Sequence, residues 1–293
     1  MNWQKGLKVR VESNAPLRSK TTFRIGGRAR WFACPKDAVE LSLLVRAAKK
    51  HRLPVYVLGA GSNILVSDKG LKALVIKLDS PFFNRSCPSG TDLEAGSGIM
   101  LSRLIRKAGA LGLSGLEFLS GIPGSLGGAL AMNAGCFGKS IMDLVESCEV
   151  MDYNGRIKNL NKKGIRYGYR SSGLSDYVIL GATLGLTRKD RAVIRKDEQD
   201  YLRKRRSTQD AALPNAGCIF KNPEDSSAGR LIDLCGLKGR RIGRAQVSRR
   251  HANFILNCGN ASSCDVVKLM NSVRRQVKNK FGIVLEPEIK IWK

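Results

Sequence analysis

The chain has 293 residues, 43% hydrophobic and 26% charged, apolar enough for about two or three domains with real cores and too apolar for disorder. Its 51 lysines and arginines against 24 aspartates and glutamates give a formal charge of +27, a field that concentrates anions of any kind. No apolar run reaches membrane-span length and residues 1–12 lack a secretory hydrophobic stretch, so a cytoplasmic protein with no membrane partner is expected.

In chain order, residues 28–34 and 55–58 read as short strands around a helical stretch at 36–50, where Val39, Leu43 and Ala47 keep helical spacing. Runs at 64–66 and 73–78 flank Ser67-Asp68-Lys69-Gly70, a turn cluster of the hairpin type. A helix at 101–111 carries Leu101, Leu104, Ile105 and Ala108 on one face and leads into a glycine-rich stretch at 112–138. Strands at 149–152, 157–159 and 178–186 follow, and then charge rises abruptly from 188 to 206 without apolar periodicity. That rise marks a domain boundary, giving blocks 1–80, 81–190 and 191–293.

The last block has strand candidates at 218–220 and 252–256 and a well-signalled helix. Ser263 caps its start, Asp265 suits the positive end of its dipole, Val266, Leu269, Met270, Val273 and Val277 form the buried stripe, and Gly282 stops it. The chain closes on a strand at 285–292, with Leu285, Ile289 and Ile291 alternating with Glu286, Glu288 and Lys290, so both glutamates project from the polar face.

Eight cysteines without a C-x-x-C pair, and two histidines, match neither a zinc site nor a small disulfide framework, and no metal is expected. Two glycine-rich loops carry the chemistry instead. Gly59-Ala60-Gly61-Ser62-Asn63 sits between two apolar strands, where glycines let backbone amides approach an anion; a plain tight turn is the other reading. It is no Rossmann fingerprint, because Ile64 occupies the third glycine position. Gly121 to Ala129 leads into Leu130 to Gly135, small residues suited to a helix start that faces phosphates, or else to close packing of a helix on a sheet. Together the loops imply a long anionic ligand. Gly138-Lys139-Ser140 ends like a Walker A loop, yet Asn133 stands at the required first glycine.

Seven segments in order, Thr21-Thr22-Phe23-Arg24-Ile25-Gly26-Gly27, the loop from Gly59 to Asp68, Gly115 to Gly124, Tyr169-Arg170-Ser171-Ser172, Ala216 to Pro223, His251-Ala252-Asn253-Phe254 and Leu285 to Ile289, resemble the UDP-N-acetylenolpyruvoylglucosamine reductases. The resemblance runs from about residue 11 to 291 and is to the family's compact second type. It implies an α+β protein: a two-subdomain FAD-binding domain of the vanillyl-alcohol-oxidase (PCMH-type) fold at 1–80 and 81–190, and a C-terminal α+β substrate domain at 191–293. Non-covalent FAD would meet Gly59, Gly61, Ser62, Asn63, Gly121, Pro123, Ser125, Gly127, Gly128 and Asn133.

The resemblance further implies NADPH as electron donor and a hydride passed from flavin to the enolpyruvyl double bond of a UDP-sugar, giving UDP-N-acetylmuramate for peptidoglycan. Arg170 matches the arginine that faces the developing negative charge. The family's proton-donating serine is Cys218 here; a thiol, with an ordinary pKa of about 8.5, is a stronger acid than a hydroxyl and still mostly protonated near neutrality. Glu288 matches the terminal glutamate, with Glu286 its competitor on the same strand face. Tyr169, Lys221, Asn222 and Asn253 are expected on the substrate side, and His251 in a structural role. Asp210 departs from the family's usual proline, which opens the local path of that loop. A monomer without a dedicated nucleic-acid partner is expected. The rival from another class, motivated by the +27 charge, is a nucleic-acid-binding protein; the nearer rival is an oxidase of the same flavin fold.

Overall fold

The computed structural model describes residues 3, 4, 6–209 and 213–293; Asp210 and the expectation attached to it lie outside the described residues. The chain forms two compact units: one contains residues up to Ser13, Trp31–Ala60 and Ala73–Lys204, the other Asn14–Arg30, Gly61–Lys72 and Arg205–Lys293. This partition differs from the contiguous blocks 1–80, 81–190 and 191–293, because two early segments pack with the C-terminal part. Among the described residues no helix is long and apolar enough to cross a membrane.

In the first unit, helix α1 (Ala38–Lys50) follows Asp37, whose carboxylate accepts from the Glu40 amide. Its buried residues are Leu41, Leu44, Val45 and Ala48, whereas Val39 is 70% and Leu43 37% exposed, so the apolar face is the opposite of the one expected. Spacing alone allowed both stripes; the longer one, at i, i+3, i+4 and i+7, won. The following strand Val55–Leu58 pairs in parallel with Leu71–Lys77, in a four-stranded sheet ordered Val11–Pro16, Arg28–Ala33, Leu71–Lys77, Val55–Leu58. The chain passes between the units within the first three of these strands.

A five-stranded antiparallel sheet, ordered Ile157–Asn161, Val145–Met151, Val178–Gly185, Asp92–Gly96, Ser86–Ser89, carries the main core of this unit. Helix α2 (Leu101–Ala110) adds Leu101, Leu104, Ile105 and Ala108, all buried as its periodicity demanded. Helix α3 (Leu126–Ala131) is short and starts at Ser125. The charged run is not a linker but helix α4 (Arg191–Thr208), whose single buried residue is Ile194, and compactness divides the chain inside it, after Lys204. Lysine, arginine, glutamate and glutamine favour helix without any apolar stripe to advertise it.

The second unit holds an antiparallel sheet ordered Asn215–Cys218, Phe254–Asn257, Ala245–Val247, Arg241–Ile242, with helices α5 (Ala228–Leu234) and α6 (Ser263–Phe281). The expected hairpin at Ser67 to Gly70 does not form: Ile64–Val66 pairs in parallel with Lys290–Trp292 instead of with the strand that follows it. Ser67 O accepts from the amides of both Gly27 and Gly70, which turns the chain toward another partner.

The stripe of α6 is as read, and Gly282 ends the helix at φ 72°. Its cap is Ser262 rather than Ser263: Ser262 Oγ accepts from the Asp265 amide at 3.0 Å, and the Asp265 carboxylate accepts from the Ser262 amide at 3.1 Å, a closed capping box. These bonds, led by the Ser262 amide, hold the Asp265 carboxyl below its ordinary pKa. Ser263 bonds the Asp68 carboxylate at 2.8 Å. The closing strand is Lys290–Trp292 alone; residues 286–288 run beside 219–221 instead, because Pro287 has no amide to continue a ladder.

Removing the box through Ser262→Ala should cost about 1 kcal/mol and lower the melting temperature by about 2–4 °C, while Ser263→Ala, which leaves the box closed, should move it less. Differential scanning calorimetry of the two variants checks the assignment; a larger loss at 263 would refute it.

Candidate active site

Gly59, at the start of the first glycine-rich loop, meets the second loop within the first unit, whereas Gly61, Ser62 and Asn63 belong to the second unit. A Cβ on Gly59 would lie 2.6 Å from Ser125 Oγ and 3.9 Å from Gly128 Cα, so the absence of a side chain at 59 is what permits the approach. After Gly59 the backbone presents four successive amides, Ala60, Gly61, Ser62 and Asn63, that have no acceptor among the described residues. Gly61 adopts φ 68°, its carbonyl accepts from the Thr22 amide at 3.1 Å, and a Cβ there would strike Lys20 O at 2.4 Å. The loop is therefore held by its carbonyls and side-chain-free faces while its donors point elsewhere.

The second loop is more divided than its composition implied. The Leu126 amide donates to Ile99 O at 2.9 Å, Gly127 to Ser97 O at 2.8 Å, and Gly128 to Ser125 Oγ at 3.4 Å, so the start of α3 is closed by protein groups. For Gly127 the packing reading holds, since a Cβ there would lie 2.9 Å from Ser97 Cβ. Gly121, at φ 78°, and Gly124 and Ser125 have amides without an acceptor among the described residues; Pro123 is exposed between them. The hydroxyl of Ser97, buried beside Gly127, also lacks a partner among the described residues. Sequence reading missed Ser97, because a serine between Gly96 and Gly98 carries no periodic or motif signal.

Tyr169 and Arg170 form the tip of a hairpin in which Tyr167 pairs with Ser172 and Gly168 with Ser171. Tyr169 is 54% exposed, and the guanidinium carbon of Arg170 lies 5.4 Å from its ring centroid. Arg170 has φ 56°, the left-handed region that favours glycine or asparagine at such a tip. Asn133 is buried at 6% exposure; its Nδ2 donates to Gly168 O at 2.9 Å and its Oδ1 accepts from the Met142 amide at 3.3 Å. These bonds give it a role in holding backbone, in addition to the cofactor contact expected of it.

In the second unit Cys218 ends the strand Asn215–Cys218, half-buried and opposite Phe254. The segment after it is gripped on both sides. Glu288 N donates to Ile219 O at 2.8 Å and Lys221 N to Glu286 O at 2.9 Å, while Phe220 N donates to Asn253 Oδ1 at 3.0 Å and Asn253 Nδ2 to Phe220 O at 2.8 Å. Asn253, 2% exposed, thus braces Phe220 with both ends of its amide; the structure turns it into the fold rather than outward to a substrate. Glu288 is brought beside the residue that follows Cys218, and Asn63 Nδ2 reaches its carbonyl at 3.4 Å.

Glu286 and Glu288 separate clearly. Glu286 is exposed and pairs with Lys221 at 3.1 Å, not with Lys290, whereas Glu288 is half-buried. An exposed pair of that kind contributes about 0–1 kcal/mol and opens readily. Asn222, also exposed, accepts from the Ala228 amide at 3.0 Å and so shapes the entry to α5.

Residues 208–292 match the family of the UDP-N-acetylenolpyruvoylglucosamine reductase C-terminal domain, and residues 29–161 match an FAD binding domain family. The chain is 42% identical over 285 residues to UDP-N-acetylenolpyruvoylglucosamine reductase 2 of Symbiobacterium thermophilum, covering 97% of this chain and 92% of that one. It superposes on the crystal structure of the corresponding reductase of Thermus caldophilus with a TM-score of 0.84 at 35% identity, over 97% of this chain and all of that one (100%). A 6-hydroxy-D-nicotine oxidase of Arthrobacter nicotinovorans, at a TM-score of 0.50 and 18% identity over 62% of this chain and 43% of that one, shares the fold alone. The α+β class with an FAD-binding domain of the PCMH type holds.

His251 completes the brace. Its Nδ1 accepts from the Asn253 amide at 3.3 Å and its ring lies 4.6 Å from that of Phe254, a structural role as expected. Burial, aided by the charge of Lys238, pushes the imidazole below its ordinary value of 6.5. The neutral ring is thus favoured by folding: its contribution is complete above pH ~6.5 and is lost as pH falls through the depressed native value. Melting temperatures of the wild type and His251→Gln should accordingly converge between pH 7.5 and about 5.5; a gap that stays constant would refute the role.

Proposed function

We propose, from the premise that the chain belongs to the UDP-N-acetylenolpyruvoylglucosamine reductase family, that it reduces the enolpyruvyl ether of UDP-N-acetylglucosamine to UDP-N-acetylmuramate, an oxidoreductase step of peptidoglycan precursor synthesis. The cofactor is FAD, with NADPH as the electron donor; the proposed working form is a cytoplasmic monomer. In ligand-binding terms residues 1–80 and 81–190 serve the flavin and 191–293 the substrate, although compact packing groups the chain otherwise.

One observation carries the flavin assignment: the run of amides from Ala60 to Asn63 without acceptors among the described residues, next to a Gly59 whose Cβ would crowd the Ser125 hydroxyl. The residues fit FAD. A diphosphate supplies the acceptors that these amides lack, Gly121, Gly124 and Ser125 offer more donors, and the Ser97 hydroxyl is a buried polar group awaiting a partner. Gly59, Gly61, Ser62, Asn63, Gly121, Pro123, Ser125 and Gly128 are the proposed lining, with Gly127 and Asn133 shaping it from behind. When bound, FAD supplies the two-electron chemistry that no side chain of the protein can perform.

The protein's own groups then manage charge and protons. Arg170 stabilises the negative charge that develops on the substrate carbon bearing the carboxylate. Cys218 Sγ–H gives its proton to that carbon and takes one back from solvent, which completes the reduction of the double bond. Glu288 polarises the reacting centre, and Tyr169, Lys221 and Asn222 orient the sugar nucleotide, Lys221 after release of its weak pairing with Glu286. Asn253 acts by keeping Cys218 and Lys221 in register.

An anaerobic titration tests the reading in steps: the purified protein should be yellow, bleach with NADPH and recover its colour with the enolpyruvyl sugar nucleotide. Cys218→Ala should leave the bleaching within about threefold and slow the recovery by about 10²–10⁴, the usual worth of a positioned acid, while Cys218→Ser should retain appreciable recovery. Protein that stays colourless after reconstitution with excess FAD would overturn the assignment, and normal recovery in Cys218→Ala would remove the thiol from the mechanism.

A further inference from the structure

We infer that residues 131–135 form a clamp that sets the position of Arg170, with Asn133 its central positioning residue; this rests on the assignment of Arg170 to the substrate-reducing step. Three hydrogen bonds tie alternate residues of the segment to the hairpin. Ser172 Oγ donates to Ala131 O at 3.1 Å, Asn133 Nδ2 to Gly168 O at 2.9 Å, and Arg170 Nη1 to Gly135 O at 2.8 Å.

The hairpin needs such support. Its two strands, Tyr167–Gly168 and Ser171–Ser172, have two residues each, far too few to be stable alone. At the tip, Arg170 holds φ 56°, a conformation that a non-glycine residue keeps only where its surroundings over-determine it. The clamp is the surrounding structure that does so, and it acts on the Gly168 carbonyl before Arg170, on the guanidinium itself, and on the Ser172 hydroxyl after it.

The clamp is rigid in turn. Gly135 pairs with Ser140, a Cβ on it would lie 2.3 Å from Lys139 O, and the Ile141 amide donates to Ala134 O at 2.8 Å. Asn133 meets a demand that few residues can satisfy. Its φ of 42° is left-handed, and it needs an acceptor for the Met142 amide and a donor for Gly168 O at once. Glycine would supply the conformation without either group, and aspartate the acceptor without the donor. The glycine-rich stretch therefore has a second use besides access for a ligand: it carries the arginine's support.

The test uses the holoenzyme and three variants. Rates are read per bound flavin, because Asn133 also borders the proposed cofactor lining, and Asn133→Asp should lose far more of its recovery than of its bleaching with NADPH. It should recover colour with the sugar nucleotide about 10–100-fold more slowly, as befits a misplaced catalytic group. Hydrogen exchange at residues 167–172 should quicken at least tenfold, and Asn133→Asp should add no further slowing to Arg170→Ala. Ser172→Ala, which removes a half-buried hydroxyl and one outer bond, should slow recovery two- to fivefold and covers the case in which Asn133→Asp fails to fold. Recovery unchanged in Asn133→Asp or Ser172→Ala, additive slowing on Arg170→Ala, or loss of flavin in step with activity would overturn the clamp. Undiminished recovery in Arg170→Ala is a separate outcome, which refutes the assignment of Arg170 itself.

Discussion

Four consecutive backbone amides without an acceptor among the described residues are the constraint around which the first glycine loop is built. A buried donor without a partner costs about 1–3 kcal/mol, and although water reaches the half-buried Ala60, Ser62 and Asn63, Gly61 is buried. The chain holds this arrangement through close contacts that exclude any side chain: Gly59 against Ser125, and Gly61 against Lys20 and Thr21. Such contacts direct the carbonyls into the fold and leave the N–H groups for an anion, so that the diphosphate of the proposed site would both fit the loop and stabilise it.

Much of the fold was legible where a local signal decides the outcome. The stripes of α2 and α6 bury the residues that their spacing selects, since an amphipathic helix has one apolar face to hide. Legibility ended where the partner is remote or the signal doubled. Ile64–Val66 looks like half of a hairpin but pairs with Lys290–Trp292 at the other end of the chain, and nothing near residue 64 encodes that choice. Helix α1 offered two spaced stripes, and only packing selected Leu41, Leu44, Val45 and Ala48. Ser262 and Ser263 are both competent caps; the box with Asp265 uses the first, and Asp68 engages the second.

The candidate site divides in the same way. Motif order proposes Arg170, Cys218 and Glu288, but a polar residue within a motif can face a ligand or brace the backbone, and sequence does not distinguish the two. Asn253 and Asn133 are both buried amides with donor and acceptor ends engaged, which is the signature of a brace. Both lie behind the residues proposed to act. A serine such as Ser97 shows the converse: it has no signature in sequence, and only burial with an unmet hydroxyl draws notice to it.

The family resemblance implies a serine where this chain has Cys218, and the bracing bears on that difference. The strand that bears the thiol pairs with Phe254 on one side, and beyond it Ile219 and Lys221 accept from and donate to 286–288 on the other, while Asn253 bridges Phe220. The main chain around position 218 is held by these bonds of its neighbours. In the proposed mechanism, a more acidic group on this main chain is a change of chemistry at constant backbone geometry. A strand held in this way keeps one main-chain path whether position 218 bears the thiol or the hydroxyl that the family resemblance implies, so the proposed proton donor can differ without the strand moving.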